Sequence, residues 1–137
     1  MSGADLEALK AARKGTLAET LGIDIVEASK QKVVAELEVR QGVTTVGGAM
    51  HGGALMALAD QVGAMGAFLN LPPGALTTTL ESKTNFFAAA RSGKVRAEAT
   101  PIHIGRTTMV WQTRISDDKG KLVSQTIQTQ MVLMPKA

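Results

Sequence analysis

Met50-His-Gly-Gly-Ala-Leu-Met-Ala-Leu-Ala-Asp-Gln-Val-Gly-Ala-Met-Gly-Ala-Phe-Leu-Asn-Leu71 is the stretch around which the rest of the chain is organised. It is apolar almost all the way round and carries one charge, Asp60. A helix of that kind is normally buried in a core rather than floated on a surface. At 100° per residue it has two unlike faces. Leu55, Leu58, Val62, Met65 and Leu69 form a bulky side, and Gly53, Ala57, Asp60, Ala64 and Ala67 form a small one. The bulky side can fill a core. The small side lets a backbone or a ligand come close and presents a carboxylate there. A membrane span of about 20 apolar residues is a competing reading. Against it stand a mid-span Asp, costing ~2.5–3.5 kcal/mol, and four glycines within the run. A core helix whose Asp is bonded to neighbouring hydroxyls is the other plain reading, although a carboxylate buried for structure alone must be matched with donors.

With 137 residues the chain makes one domain with a real core. Its aromatics are Phe68, Phe86, Phe87 and Trp111, too few for the stacking platforms that bind single-stranded nucleic acid. The net charge of +3 selects no class of partner. Without cysteine there is no disulfide, thiolate nucleophile or Cys-based metal site, and the two histidines suggest no ligand set, so no metal is expected. The N-terminus has no signal-peptide pattern, which makes the cytoplasm the expected location.

Outward from the central helix, residues 3–15 read as a short helix. Asp5 and Glu7 stand in its first turn, Lys10, Arg13 and Lys14 in its last, and Gly15 ends it. Thr16 and Glu19 have capping-box spacing for a second short turn. Residues 1–20 are thus an N-terminal helical arm or lid on a domain spanning 21–137. From Gly22 the period changes to two. Ile23 and Ile25, then Val33, Ala35, Leu37 and Val39, predict two antiparallel strands with a turn near Ser29–Gln31. Pro72, Pro73 and Gly74 stop the central helix. Four strand-like runs follow, Leu76–Phe87, Lys94–Ile102, Arg106–Ile115 and Lys121–Met134, with Met109, Trp111, Thr113 and Ile115 facing inward. The economical architecture is α+β: one antiparallel sheet curled around the bulky face of one long helix. A second copy of the chain is the natural cover for the small face.

Gly48-Ala-Met-His51-Gly52-Gly53 followed by Leu58-Ala59-Asp60 resembles the signature of hot-dog-fold acyl-CoA thioesterases of the PaaI (phenylacetate-pathway) type. Thr77-Thr78-Thr79, Asn85-Phe86-Phe87 and His103-Ile104-Gly105-Arg106 are similar to that family's later blocks, so the likeness covers roughly residues 17–134. The resemblance implies a hot-dog fold and hydrolysis of an acyl-CoA, with aromatic acyl groups such as phenylacetyl or hydroxyaryl favoured. It implies Asp60 as the catalytic carboxylate, Gly52 as the N–H donor to the thioester carbonyl and His51 as a brace for the loop. A strand hydroxyl beside the acid falls at Thr79, with Thr78 the alternative. Gly53 and Ala64 on the small face line the substrate site, and Arg91 and Arg106, with Lys94, are candidate partners of the coenzyme A phosphates. Coenzyme A enters as part of the substrate and no other cofactor is implied. The sequence departs from the pattern at Thr45, six residues before the His, where an Asn or Gln is usual. A threonine hydroxyl offers only one donor there. The proline common after the Phe pair is also replaced, by Ala88-Ala89-Ala90.

Thioester hydrolysis needs a donor to polarise the carbonyl and a group to activate water or attack. Gly52 and Asp60 are eight residues apart on one helix, about 12 Å at 1.5 Å per residue. A homodimer with antiparallel helices and shared sites resolves this, and its doubling into a homotetramer, a dimer of dimers, is the expected assembly. Two alternatives stay open: a non-catalytic acyl-CoA-binding regulator on the same fold, and a hot-dog hydratase or dehydratase using His51.

Overall fold

The computed structural model describes residues 3–136. Two short helices, α1 (Gly3–Ala12) and α2 (Leu17–Leu21), precede strands β1 (Asp24–Ala28) and β2 (Val33–Glu38). The long helix α3 (Gly52–Leu69) follows, then β3 (Leu76–Phe86), β4 (Lys94–Ile104), β5 (Thr108–Ser116) and β6 (Leu122–Leu133). The six strands form one antiparallel sheet in the order β1-β2-β4-β5-β6-β3. This is the hot-dog fold, with α3 packed on β2, β3, β4, β5 and β6. By composition and length α3 could cross a membrane, yet here the sheet wraps it as the core of the domain.

The expected elements are present, with local differences that have physical causes. The β1–β2 turn is closed by Ser29, whose Oγ accepts from the N–H of Gln31 and Lys32. The first helix ends at Ala12, not Gly15, and residues 13–15 form turns. The capping box does not close. The Thr16 hydroxyl donates back to the Arg13 carbonyl, and Glu19 accepts from Gly15 N–H at 3.3 Å. A bulge between Pro101 and His103 carries β4 on to Ile104, so Arg106 lies in the following turn and not on a strand.

On α3 the bulky face meets the sheet as expected: Leu55, Leu58 and Val62 are buried, and Met65 and Leu69 pack on the core from partly buried positions. The small face is less uniform than the wheel implies. Gly53 is exposed and Ala57, Asp60 and Ala64 are half-buried, whereas Ala67 is fully enclosed. Two glycines outside that stripe explain the closeness of helix and sheet. A Cβ on Gly66 would sit 2.5 Å from the Trp111 ring, and one on Gly63 would overlap the Gln128 amide. The inward set on β5 (Met109, Trp111, Thr113, Ile115) is buried as read.

Candidate active site

The sheet leaves one strip of α3 uncovered, between its two edge strands β1 and β3. That strip carries Asp60, Gln61, Ala64, Met65 and Phe68. Ile23 and Ile25 wall it on the β1 side, Thr77 on the β3 side, and Leu9, Ala12 and Arg13 roof it. The resulting cleft has a volume of ≈ 370 Å³, within the range of small-molecule sites.

Asp60 is held at one oxygen. Its Oδ1 accepts from Thr79 Oγ1 at 2.8 Å and from Gln128 Nε2 at 3.0 Å. No donor among the described residues takes Oδ2. Gln128 also donates from Nε2 to Gln130 Oε1 at 2.9 Å, and Gln130 Nε2 donates to Thr77 Oγ1 at 3.1 Å. Thr79 Oγ1 lies 2.6 Å from the same Gln130 oxygen but has one proton to give. With Gln128 already serving Gln130, that proton is free for the carboxylate. The flip of Gln128 is set by Asp60, since the opposite flip would place two acceptors face to face. Its outward-turned Oε1 is buried without a partner against Gly63.

Alternation along β3 decides between the two candidate threonines. Thr77 and Thr79 face the helix, while Thr78 is exposed on the opposite side and takes no part in the cluster. Gln128 and Gln130 are residues the sequence reading missed. They sit on β6 with Ser124 and Thr126, all fully buried, while Ile127 and Met131 on the alternate positions are exposed. The period-two run Ser124-Thr126-Gln128-Gln130 was the available signal, but a hydrophobic-inside rule turns this strand the wrong way round.

At the helix start, His51 is the N-cap, and its Nδ1 accepts from Gly53 N–H at 2.8 Å. The neutral ring therefore carries its proton on Nε2. That bond ties the His51 ring to the first turn of the helix, and it commits the Gly53 N–H, so Gly53 has no backbone donor left for a ligand. Gly52 N–H has no acceptor among the described residues. The Phe86 ring packs over Gly52, 3.2 Å from where a Cβ would lie.

The remaining candidates are not brought together within one chain. Thr45 is exposed in a turn where its N–H donates to Ala49 O, and it does not line the Asp60 cleft. Arg91 donates to Gly47 O at 2.8 Å, near the start of α3. Arg106 lines a separate cleft with Asn70, Leu71 and Pro72 beyond the helix end. The 18 residues of α3, roughly 27 Å of helix, run from the end near Arg91 to the end near Arg106. Ala64 does share the cleft with Asp60.

Residues 47–124 match the model of the thioesterase superfamily. The chain belongs to that superfamily. It is 39% identical to the 1,4-dihydroxy-2-naphthoyl-CoA hydrolase of Listeria monocytogenes over 107 residues, 78% of this chain and 87% of that one. A thioesterase from Haemophilus influenzae superposes with a TM-score of 0.91 at 32% identity, covering 94% of this chain and 90% of that one. A Staphylococcus aureus thioesterase, solved as a glutamine-to-alanine variant, superposes with a TM-score of 0.83 at 30% identity over 85% of this chain and 98% of its own. The same protein was also solved with a glutamate fifteen residues further on changed to alanine. This chain is thus a thioester hydrolase on a hot-dog fold.

Proposed function

We propose that this hydrolase cleaves acyl-CoA thioesters to free acid and coenzyme A, with Asp60 as its catalytic carboxylate. The observation that carries the reading is the way Asp60 is mounted. Oδ1 is fixed by Thr79 and Gln128, leaving Oδ2 for chemistry beside a largely apolar cleft. Such a carboxylate can take a proton from water as the water oxygen bonds to the thioester carbon. Alternatively Oδ2 attacks that carbon, forming an anhydride that water then opens. In both routes the carbonyl oxygen gains charge in the tetrahedral intermediate. The C–S bond then breaks, and the thiolate leaves and is protonated. Gly52 N–H, unpaired at a helix N-terminus, is suited to the developing oxyanion. Coenzyme A arrives as part of the substrate, and no further cofactor is proposed.

Donor and carboxylate must both lie within ~3–3.5 Å of the reacting atoms, and one helix holds them about 12 Å apart. We therefore infer a homodimer in which antiparallel α3 helices bring Asp60 of one chain to Gly52 of the other. The same antiparallel arrangement shortens the distance between Arg91 of one chain and Arg106 of its partner, the candidates for the coenzyme A phosphates. An outer sheet face bearing exposed Ile127, Met131 and Leu133 supports a dimer of dimers. Thr45 precedes Asp60 by fifteen residues, the separation of the glutamine and glutamate changed in the S. aureus enzyme, which supports its place beside the shared site. Aromatic acyl groups are the favoured substrates, in keeping with the naphthoyl-CoA relative, and a cytoplasmic setting without nucleic acid or membrane partners is part of this reading.

A panel of aromatic and straight-chain acyl-CoAs assayed with a thiol reagent tests it. Release of free thiol, fastest with aromatic acyl groups, is the expected result. Binding without thiol release would identify a regulator instead, and loss of enoyl absorbance a hydratase.

A further inference from the structure

The Asp60 cleft holds a second charge that the proposed chemistry does not use. Arg13, the first residue past α1, lines it as the only cation among the described residues there, within otherwise mostly apolar walls. Its Nη1 donates to the Ile23 carbonyl at 2.6 Å, which anchors the guanidinium at the β1 edge of the sheet. Asp60 is anchored at the other edge, by Thr79 on β3 and Gln128 on β6. No ion pair joins the two charges, although they share one small cleft. Two opposite charges held apart from opposite walls leave room for a group between them. A guanidinium has five N–H donors in a fixed fork, and one bond to Ile23 leaves the others for a ligand.

We infer that Arg13 is a specificity-determining residue that binds an oxygen on the end of the acyl group remote from the thioester. The substrate class is then an aryl acyl-CoA bearing a hydroxyl on its ring, the thioester carbon at Asp60 and the ring oxygen at Arg13. This rests on the acyl-CoA reading above. The rest of the cleft fits such a group. Asp60 and Phe68 on α3 are about 12 Å apart, and between them Ala64, Met65, Ile23, Ile25 and Leu9 offer apolar contact to a ring. A plain hydrocarbon acyl group filling the same space leaves the other N–H groups of the half-buried guanidinium facing it without an acceptor, a penalty of the kind that gives strong discrimination. The roof is part of the same device, because Leu6 and Leu9 pack on the core and Lys10 pairs with Asp24 at 3.6 Å, holding the end of α1 over the strip.

The test compares 4-hydroxyphenylacetyl-CoA with 4-methylphenylacetyl-CoA, matched in shape, on the full chain. For the wild type, kcat/KM for the hydroxylated substrate is expected to exceed that for the methylated one at least tenfold. In Arg13→Met, which keeps an apolar stem of similar reach, the ratio of the two is expected to fall to about one. The ratio is the readout, so a general loss from a loosened α1 does not imitate the effect. A wild-type ratio near one, or an unchanged ratio in the variant, overturns the role of Arg13 while leaving thioester hydrolysis standing. If Arg13→Met does not fold, Arg13→Lys serves instead: it keeps a cation and loses the fork, and an unchanged ratio there overturns the role as well. Hydrolysis of neither substrate, nor of any other acyl-CoA, overturns the functional reading and this inference with it.

Discussion

The four glycines of α3 divide into two pairs that look alike in sequence and do different work. Gly52 and Gly53 open the helix, where one N–H is taken by His51 and the other has no acceptor among the described residues. Gly63 and Gly66 lie mid-helix, fully buried, and exist because Gln128 and Trp111 press against the helix backbone there. The first pair concerns donors and the second concerns volume. A stripe of small residues is therefore not by itself a ligand site. On this helix most of the tight packing is against the chain's own sheet, and the open strip is marked instead by a polar cluster. Gly63 links the two pairs, since the amide it makes room for is the one that holds Asp60.

The largest effect is expected at the polar cluster. Asp60→Asn keeps the shape of the side chain and removes its charge and basicity. It is expected to lower kcat by ~10²–10⁴-fold while substrate binding and melting temperature change little. Steady-state kinetics with a hydrolysed aromatic acyl-CoA, alongside a thermal melt, checks this. Activity within a few-fold of wild type would move the chemistry to another residue.

Stability should separate the two glycine pairs. Gly66→Ala places a Cβ against three ring carbons of a fully buried Trp111, and neither helix nor ring has space to yield. Overpacking of that kind costs about 1–3 kcal/mol, only partly offset by the gain of up to ~1 kcal/mol from alanine's helix propensity. At Gly52 the new Cβ would meet the edge of Phe86, half-exposed and able to shift by a few tenths of an ångström. Gly52→Ala is expected to stay within about 0.5 kcal/mol of wild type. Urea unfolding of both variants measures the difference. Equal destabilisation would show that the mid-helix glycines are not there for volume.

Much of this was legible in the sequence because its causes are local. Alternation gave the strands, Pro72-Pro73-Gly74 gave the helix stop, and an acid in an apolar run pointed to Asp60. Thr79 could be placed only to within one residue, because a one-residue slip on a strand exchanges its faces and Asn85-Phe86-Phe87 fixes register only approximately. Gln128 and Gln130 were out of reach for a different reason. Burying an amide is costly in isolation, so a strand with Gln128 and Gln130 beside Ile127 and Met131 reads as apolar-inward. What reverses it is a partner 68 residues away in sequence, the Asp60 carboxylate, together with the threonines of β3. Arg13 escaped for a similar reason. In the sequence it is one of several basic residues closing a short helix, and only the curl of the sheet brings that helix end over Asp60.

The smallest effect is the most specific to the way the two ends of α3 are used. If Gly52 of one chain serves Asp60 of the other, defects at the two positions should complement when placed on different chains. Gly52→Pro is the suitable partner for Asp60→Asn. Gly52 is the first residue of α3, where proline is tolerated, and His51 before it has ψ 136°, the extended conformation a following proline requires. The substitution thus removes the N–H with little damage to the helix, and loss of one such donor costs ~10²–10³-fold in kcat. Each variant alone is expected to be nearly inactive. When equal amounts are unfolded together and refolded, random pairing makes half of the dimers mixed. Each mixed dimer has one site carrying both defects and one carrying neither. The mixture should therefore regain roughly a quarter of wild-type activity, a fourfold shortfall, from two nearly inactive parents. Native mass measurement confirms that mixed dimers have formed. If they have and the mixture stays inactive, donor and carboxylate do not meet across the two chains, and the unpaired N–H at Gly52 needs another explanation.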